Sequence, residues 1–174
     1  MELRPPQKEC VDLINANPTG RYVIAAHVGF GKKQPYSSLI LTPNGYVKMG
    51  DLKIGDIIYD GYGEETTVTG IYEQGIQDVY KVTFSDGSVC EGGLEHLWKV
   101  RTHRSKEWKV IELKEIMDKG MTSYEIPLAP MHKSPKRYFK SVEKVRREQS
   151  RCIMVDSPDH TYITNDYIVT HNTL

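Results

Sequence analysis

The chain has 174 residues, enough for one domain or a small pair. Lysine plus arginine and aspartate plus glutamate each number 23, so the net charge is zero and no overall basic field points to nucleic acid. No apolar run approaches the roughly 20 residues of a membrane span, and no leader-like segment stands at the start, so a soluble, cytoplasmic, monomeric chain is expected.

Residues 1–32 read as a helix followed by a strand. Pro5 and Pro6 suit a first helical turn, where a missing N–H costs no helical hydrogen bond. Cys10, Val11, Leu13 and Ile14 follow at helical spacing until Asn17-Pro18 ends the run. Tyr22-Val23-Ile24-Ala25-Ala26 is a short apolar run of strand type, leading into Gly29, Gly31 and Lys32. From Leu39 onward the text changes to short strands and tight turns. Leu39-Ile40-Leu41-Thr42 meets Pro43-Asn44-Gly45, a strong hairpin signal. Ile57-Ile58-Tyr59 meets Asp60-Gly61, and the alternating Tyr80, Val82 and Phe84 meet Asp86-Gly87. A helix is predicted over 108–119, with Leu113, Ile116 and Met117 on one face and Gly120 as its stop. Residues 129–145, punctuated by Pro130 and Pro135, read as a polar linker. Tyr162-Ile163-Thr164 and Tyr167-Ile168-Val169 then flank a turn at Asn165-Asp166. The fold class expected for residues 33–172 is all-β, with one or two short helices.

Cys10, Cys90 and Cys152 are an odd set with no CxxC spacing, which excludes a disulfide framework and any obvious zinc site. Cys90 reads as a small buried hydrophobe. The basic runs at 133–137 and 144–147 read as solvated faces.

One motif is broken in an informative way. A phosphate-binding loop needs glycines, so that backbone N–H groups can approach the phosphates, then a lysine, then a hydroxyl for magnesium. Here Gly29-Phe30-Gly31-Lys32 runs into a second lysine, Lys33. The missing hydroxyl stands at Thr173, directly after His171-Asn172. Removing residues 33–172, 140 in all, would restore Gly-x-Gly-Lys-Thr.

With its flanks joined, the loop resembles motif I of superfamily 2 helicases, and Leu3-Arg4-Pro5-Pro6-Gln7 resembles the adenine-reading stretch before it. Residues 33–172 resemble an intein of the Hint (hedgehog/intein) horseshoe fold. Ser38-Leu39-Ile40-Leu41-Thr42 is similar to the first intein block, and Gly93-Leu94-Glu95-His96 to the second. Cys152-Ile153-Met154-Val155 through His160-Thr161-Tyr162 is similar to the penultimate block, and Val169-Thr170-His171-Asn172 to the last. Two departures stand out. The usual first residue, Cys or Ser, is replaced by Lys33, which has no nucleophile one five-membered ring from the scissile carbonyl. The usual threonine of the second block is replaced by Gly93, so another donor, such as a backbone N–H, has to serve.

Trp98, Cys152 and Thr173 together resemble the triplet of class 3 inteins. That resemblance implies 1–32 and 173–174 as flanking exteins and Lys32/Lys33 and Asn172/Thr173 as splice junctions. Cys152 would be the first nucleophile, Thr173 the second and Asn172 the cyclising residue. His96, His160 and His171 would move protons, and Trp98 would pack, holding Cys152 in place. No cofactor is implied for splicing. The spliced host would hold ATP and magnesium through Gly29, Gly31, Lys32, Thr173 and Gln7, and would act on nucleic acid. Competing readings are a helicase fragment with a structural insertion, a Hint module that only cleaves, and a homing endonuclease. About 45 residues between 100 and 145 are too few for a nuclease domain of ordinary size. Because the loop lysine and hydroxyl are far apart in sequence before excision, the unspliced chain is expected to bind ATP poorly; micromolar affinity by calorimetry would contradict this.

Overall fold

The structure, a computed structural model, describes residues 33–105, 107–133 and 136–171. The predicted N-terminal helix and strand, with Gln7, Cys10, Gly29, Gly31 and Lys32, lie outside the described residues, as do Asn172 and Thr173.

Twelve strands follow in the described chain: β1 (Gln34–Pro35), β2 (Leu39–Thr42), β3 (Gly45–Lys48), β4 (Ile57–Tyr59), β5 (Glu65–Phe84), β6 (Val89–Gly92), β7 (Leu97–Thr102), β8 (Lys109–Glu112), β9 (Tyr124–Glu125), β10 (Phe139–Val155), β11 (Thr161–Ile163) and β12 (Val169–His171). One helix, α1 (Leu113–Asp118), stands between β8 and β9. The spine is a long antiparallel ribbon in which β10 pairs with β5 from Phe139↔Phe84 to Val155↔Val68. Four register shifts interrupt the pairing, and each such bulge bends and twists a strand locally, so the ribbon coils instead of lying flat. β4 and β6 pair with opposite ends of β5, while β1 closes the outer edge of β10.

The coiled ribbon leaves three core clusters. One gathers Val82, Phe84, Trp98, Leu113, Ile116 and Phe139, a second Ile40, Met49, Ile58, Val68, Ile153 and Tyr162, and a smaller third Leu41, Ala129, Ile163 and Val169. Burying such side chains contributes about 1.5–3 kcal/mol each. The predicted hairpin at Pro43-Asn44-Gly45 forms between β2 and β3. The strands expected at 57–59 and around Tyr80, Val82 and Phe84 also form.

Several expectations fail. The helix expected over 108–119 begins only at Leu113, because Lys109–Glu112 pairs as β8 with β7. Val110 and Ile111 are β-branched and suit a strand. Only the second half of the segment is helical, and Gly120, at φ +91, stops it as expected. The stretch read as a linker contains the first half of β10. It looks polar because Phe139 and Val142 are its inward apolar residues, while its charges pair across the ribbon: Glu143 with Lys81 and Lys144 with Asp78. Arg146 bonds Glu91 and Glu148, and Arg147 faces Asp78, so the basic run 144–147 is neutralised where it stands.

Arg137, expected on a solvated face, is 2% exposed. It donates to Asp86 at 2.8 Å and to the backbone carbonyls of Asp166 at 2.8 Å and Tyr167 at 3.3 Å. Asp166 and Tyr167 both sit at φ +54, a region non-glycine residues seldom occupy. The guanidinium therefore ties down the strained turn between β11 and β12. The turn also delays the last strand, which begins at Val169 and not at Tyr167. Among the described residues no helix is long and apolar enough to cross a membrane.

The Asp60-Gly61 turn is docked on the same hairpin. Gly61 N–H donates to Thr161 Oγ1 at 3.1 Å, and a Cβ at Gly61 would lie 2.8 Å from Val169 Cγ1. Gly61→Ala is expected to destabilise the fold by about 1–3 kcal/mol, the usual cost of overpacking, read as a shift in urea midpoint; an unchanged midpoint would mean the turn does not bear on β12.

Candidate functional site

The short strand β1 sets the geometry. Gln34 pairs with Arg151 and Pro35 with Ser150, so Lys33, just before the ladder, and Cys152, just after Arg151, lie at the same end of the pairing. The Gly93 N–H donates to the Lys33 carbonyl at 2.9 Å. A backbone donor thus stands where Gly93 replaces the expected threonine, although it engages the carbonyl of Lys33 itself.

Gln34 fixes the next step of the chain. Its side chain is 1% exposed; its amide nitrogen reaches the Glu91 carbonyl at 3.4 Å, and its amide oxygen accepts the Tyr162 hydroxyl at 2.7 Å. Burial, and then the nearby sulfur of Cys152, push the Tyr162 phenol well above its ordinary range. Tyr162 therefore stays a neutral donor beside that cysteine. Cys152 is 4% exposed, with its S–H directed at the Ile153 carbonyl at 3.5 Å. Cys90 is also buried, and burial pushes its thiol up to about 11, in keeping with a packing role.

His96 ends a tight turn closed by its own N–H to the Gly93 carbonyl at 3.0 Å. The imidazole is 1% exposed, and its Nε2 is hydrogen-bonded to the Thr170 hydroxyl. Trp98 meets it edge-on at 5.3 Å and packs in turn on Phe84 at 5.7 Å and Phe139 at 5.4 Å. The indole, fully buried, thereby braces His96.

At the other end, β11 and β12 pair Thr161 with His171 and Tyr162 with Thr170. This brings the rings of His160 and His171 to 6.3 Å. His160 lies in the left-handed region at φ +54, in a turn closed by its N–H to the Ser157 carbonyl at 3.1 Å. Asp159, in the same turn, ties it to a neighbouring strand. It accepts the Thr161 hydroxyl at 2.6 Å and the Lys99 ammonium at 2.8 Å. Burial opposes its ionisation, but the Lys99 and Thr161 hydrogen bonds outweigh burial and hold the carboxyl below its ordinary range. Lys99 belongs to β7, one residue past Trp98, so one strand supports both the His96 ring and the His160 turn. Among the described residues no three His, Cys, Asp or Glu side chains converge as metal ligands.

Cys152 is on β10, which pairs with β1; His96 and Trp98 are at the start of β7, and His160 and His171 are on or beside the β11–β12 hairpin. Lys32, Asn172, Thr173, Gly29, Gly31 and Gln7 lie outside the described residues. Sequence reasoning missed Thr170, Gln34, Tyr162 and Lys99. Thr170 had a signal in its place beside His171; Gln34 and Lys99 had none.

A β fold wound on one long ribbon, with the short strand from Gln34 paired to β10, is the Hint fold of intein splicing domains. The crystal structure of the MchDnaB-1 intein matches with a TM-score of 0.65 at 25% identity, covering 79% of this chain and 98% of that one. The DnaB intein of Synechocystis sp. PCC 6803 matches at a TM-score of 0.65 and 18% identity, covering 82% and 99%. In sequence, the replicative DNA helicase DnaB of Mycobacterium leprae (strain TN) is 28% identical over 161 residues, which is 90% of this chain and 27% of that protein. The chain thus spans about a quarter of the length of that relative, and the match extends beyond residues 33–172. No protein-family profile matches the chain.

Lys99→Met offers a test of the His160 support. Because Asp159 titrates lower when folded, the pair stabilises fully above the ordinary aspartate range and loses its effect as pH falls through the folded value. Both partners are about 20% exposed, so the substitution is expected to cost about 1 kcal/mol at pH 7 and nothing near pH 2, measured by urea unfolding across that range. A cost independent of pH would assign Lys99 to packing alone.

Proposed function

We propose that residues 33–172 excise themselves from the chain and join Lys32 to Thr173, by the route of class 3 inteins. The observation that carries this reading is the β1–β10 ladder, Gln34 with Arg151, which has Lys33 on one strand and Cys152 on the other at its open end. Autocatalytic protein splicing fits the fold, and an excised segment that opens with Lys33 needs a nucleophile from elsewhere; the class 3 pattern supplies it as Cys152.

Cys152 Sγ attacks the carbonyl carbon of Lys32. The Lys32–Lys33 amide breaks, the proton of the thiol ends on the departing α-amine of Lys33, and His96 conveys it. An imidazole, with one nitrogen to accept and one to donate, suits this transfer, which contributes about 10²–10⁴-fold. The product is a branched thioester carrying residues 1–32. The Thr173 hydroxyl then attacks the thioester, its proton returns to the Cys152 sulfur, and the segment moves to Thr173 as an ester. The Asn172 side-chain nitrogen attacks its own carbonyl carbon, forming a succinimide and releasing the amine of Thr173. His171 protonates that amine, with His160 beside it. The freed amine lies one five-membered ring from the ester and converts it to a peptide bond unaided. Each step is intramolecular, and holding the partners in place is worth about 7–11 kcal/mol in well-oriented cases.

The host reading extends the same logic. The joined loop would carry Gly29, Gly31, Lys32 and Thr173 as the phosphate and magnesium site of an ATPase, with Gln7 reading adenine. It supports a phosphate-loop helicase acting on nucleic acid, and the relative from M. leprae is a replicative DNA helicase. Assignment to superfamily 2 rests on Ala26, Gly29, Gly31 and Lys32 together with the stretch from Leu3 to Gln7.

A precursor with an extended downstream flank, followed by mass, is expected to release a 140-residue fragment (residues 33–172) and a joined flank product. Cys152→Ala should reduce upstream cleavage by about 100-fold or more, and Asn172→Ala should accumulate the branched species. Upstream cleavage at the parental rate in Cys152→Ala would refute the class 3 route.

A further inference from the structure

The first residue of the excised segment has no nucleophile to offer, yet its side chain is held. Lys33 Nζ donates to Gln77 Oε1 at 3.0 Å and lies 3.9 Å from Glu95 Oε2. The Gln77 amide is oriented for this, because its nitrogen is committed to the Gln74 carbonyl at 2.5 Å, leaving the oxygen toward the lysine. Gln77 sits on β5, so the Lys33 side chain reaches past β10 to the next strand of the sheet. Glu95 sits on the turn that runs from Gly93 to His96.

The two holds converge on that turn. It grips the Lys33 carbonyl through the Gly93 N–H at 2.9 Å and faces the Lys33 ammonium with Glu95. A Cβ at Gly93 would stand 3.7 Å from Lys33 Cβ, so turn and lysine are in van der Waals range along the backbone as well. The same turn ends in His96, whose N–H bonds the Gly93 carbonyl.

We infer that Lys33 is a positioning residue: its ammonium, seated between Gln77 and Glu95, holds the peptide bond before it in register with Cys152 and its departing nitrogen near the turn that carries His96. The inference rests on the splicing route proposed above. In inteins that open with cysteine or serine, the first residue's side chain must stay unbound to attack. Here that duty has moved to Cys152, and the vacated side chain serves as an anchor. Misplacement of about 1 Å at a reacting bond can cost about 100-fold, so an anchor on the residue bearing the leaving nitrogen acts where geometry matters most.

The test uses the full precursor with Asn172→Ala and Thr173→Ala, which stops at the branched thioester, and reads release of residues 1–32 by dithiothreitol. Lys33→Met keeps the stem and loses the charge; it is expected to slow thiol-induced release about 10-fold, a partial misplacement on that scale. Lys33→Arg is expected to restore release to within about twofold of Lys33, and Lys33→Glu paired with Glu95→Lys to recover part of it. A second precursor carrying Cys152→Ala reads cleavage at Asn172, which Lys33→Met should leave unchanged. If Cys152-dependent release occurs and Lys33→Met runs at the parental rate, the anchor is refuted and the splicing route stands. If Lys33→Met slows both junctions equally, Lys33 is merely structural and the anchor is refuted. If release does not depend on Cys152 at all, the splicing route itself fails, and the anchor with it.

Discussion

The two-residue ladder between β1 and β10 is the constraint on which the rest depends. A one-residue slip in an antiparallel pair turns every side chain to the other face, and here it would carry Cys152 away from the first residue of the excised segment. Three interactions on different elements oppose that slip. The Gly93 N–H fixes the Lys33 carbonyl, the buried Gln34 amide is shared between Glu91 and Tyr162, and Tyr36 N–H donates to the Gln149 carbonyl at 3.0 Å. A ladder this short has little stability of its own. Its register is specified by polar contacts that would be left unmet in any alternative, and unmet buried polar groups are costly.

The downstream half of the site is tied to the upstream half by two links that cross between β7, β12 and the 157–160 turn. His96 bonds Thr170, whose neighbour is His171, and Lys99 bonds Asp159, whose neighbour is His160. Both links begin near Trp98, which is wedged between His96 and the Phe84–Phe139 pair. The two links are thus a buried hydrogen bond and a part-buried ion pair, joined by one packed indole. The wedge gives Trp98 a packing part, against His96 and the Phe84–Phe139 pair.

Much of this was legible in the sequence, and the losses have physical causes. The hairpin turn at Asn44-Gly45, the strand–turn at Tyr59-Asp60-Gly61 and the histidine and cysteine blocks announce themselves by residue type at fixed spacing. The half-strand at 109–112 did not, because Leu113, Ile116 and Met117 supply a helical period that masks the β-branched pair just before it. The first half of β10 looked like a linker because its charges find partners on β5 rather than in water, a fact of pairing that composition does not carry. Arg137 was misplaced for the same reason: a buried guanidinium is tolerable only with partners, and Asp86 and two backbone carbonyls come from segments about 30 and 50 residues away in sequence.

On the proposed route the site has no need of a substrate cleft, since the reacting groups would all be covalently part of the chain, and this changes what burial accomplishes. In an enzyme that turns over, the pocket must open to water between cycles. Here Cys152, His96 and Thr170 can remain at 4%, 1% and 0% exposure, because nothing has to enter or leave until the chain is cut. Exclusion of water protects a thioester from hydrolysis, the side reaction that would yield cleavage without ligation. It also removes solvent as a carrier of protons, so each transfer must pass between fixed groups. That requirement accounts for a buried histidine bonded to a buried hydroxyl on the strand that leads to the second junction, and for a neutral Tyr162 beside the sulfur. The polar interior of this small fold is where its stability is most expensive, and it is also where the order of bond-making and bond-breaking is set.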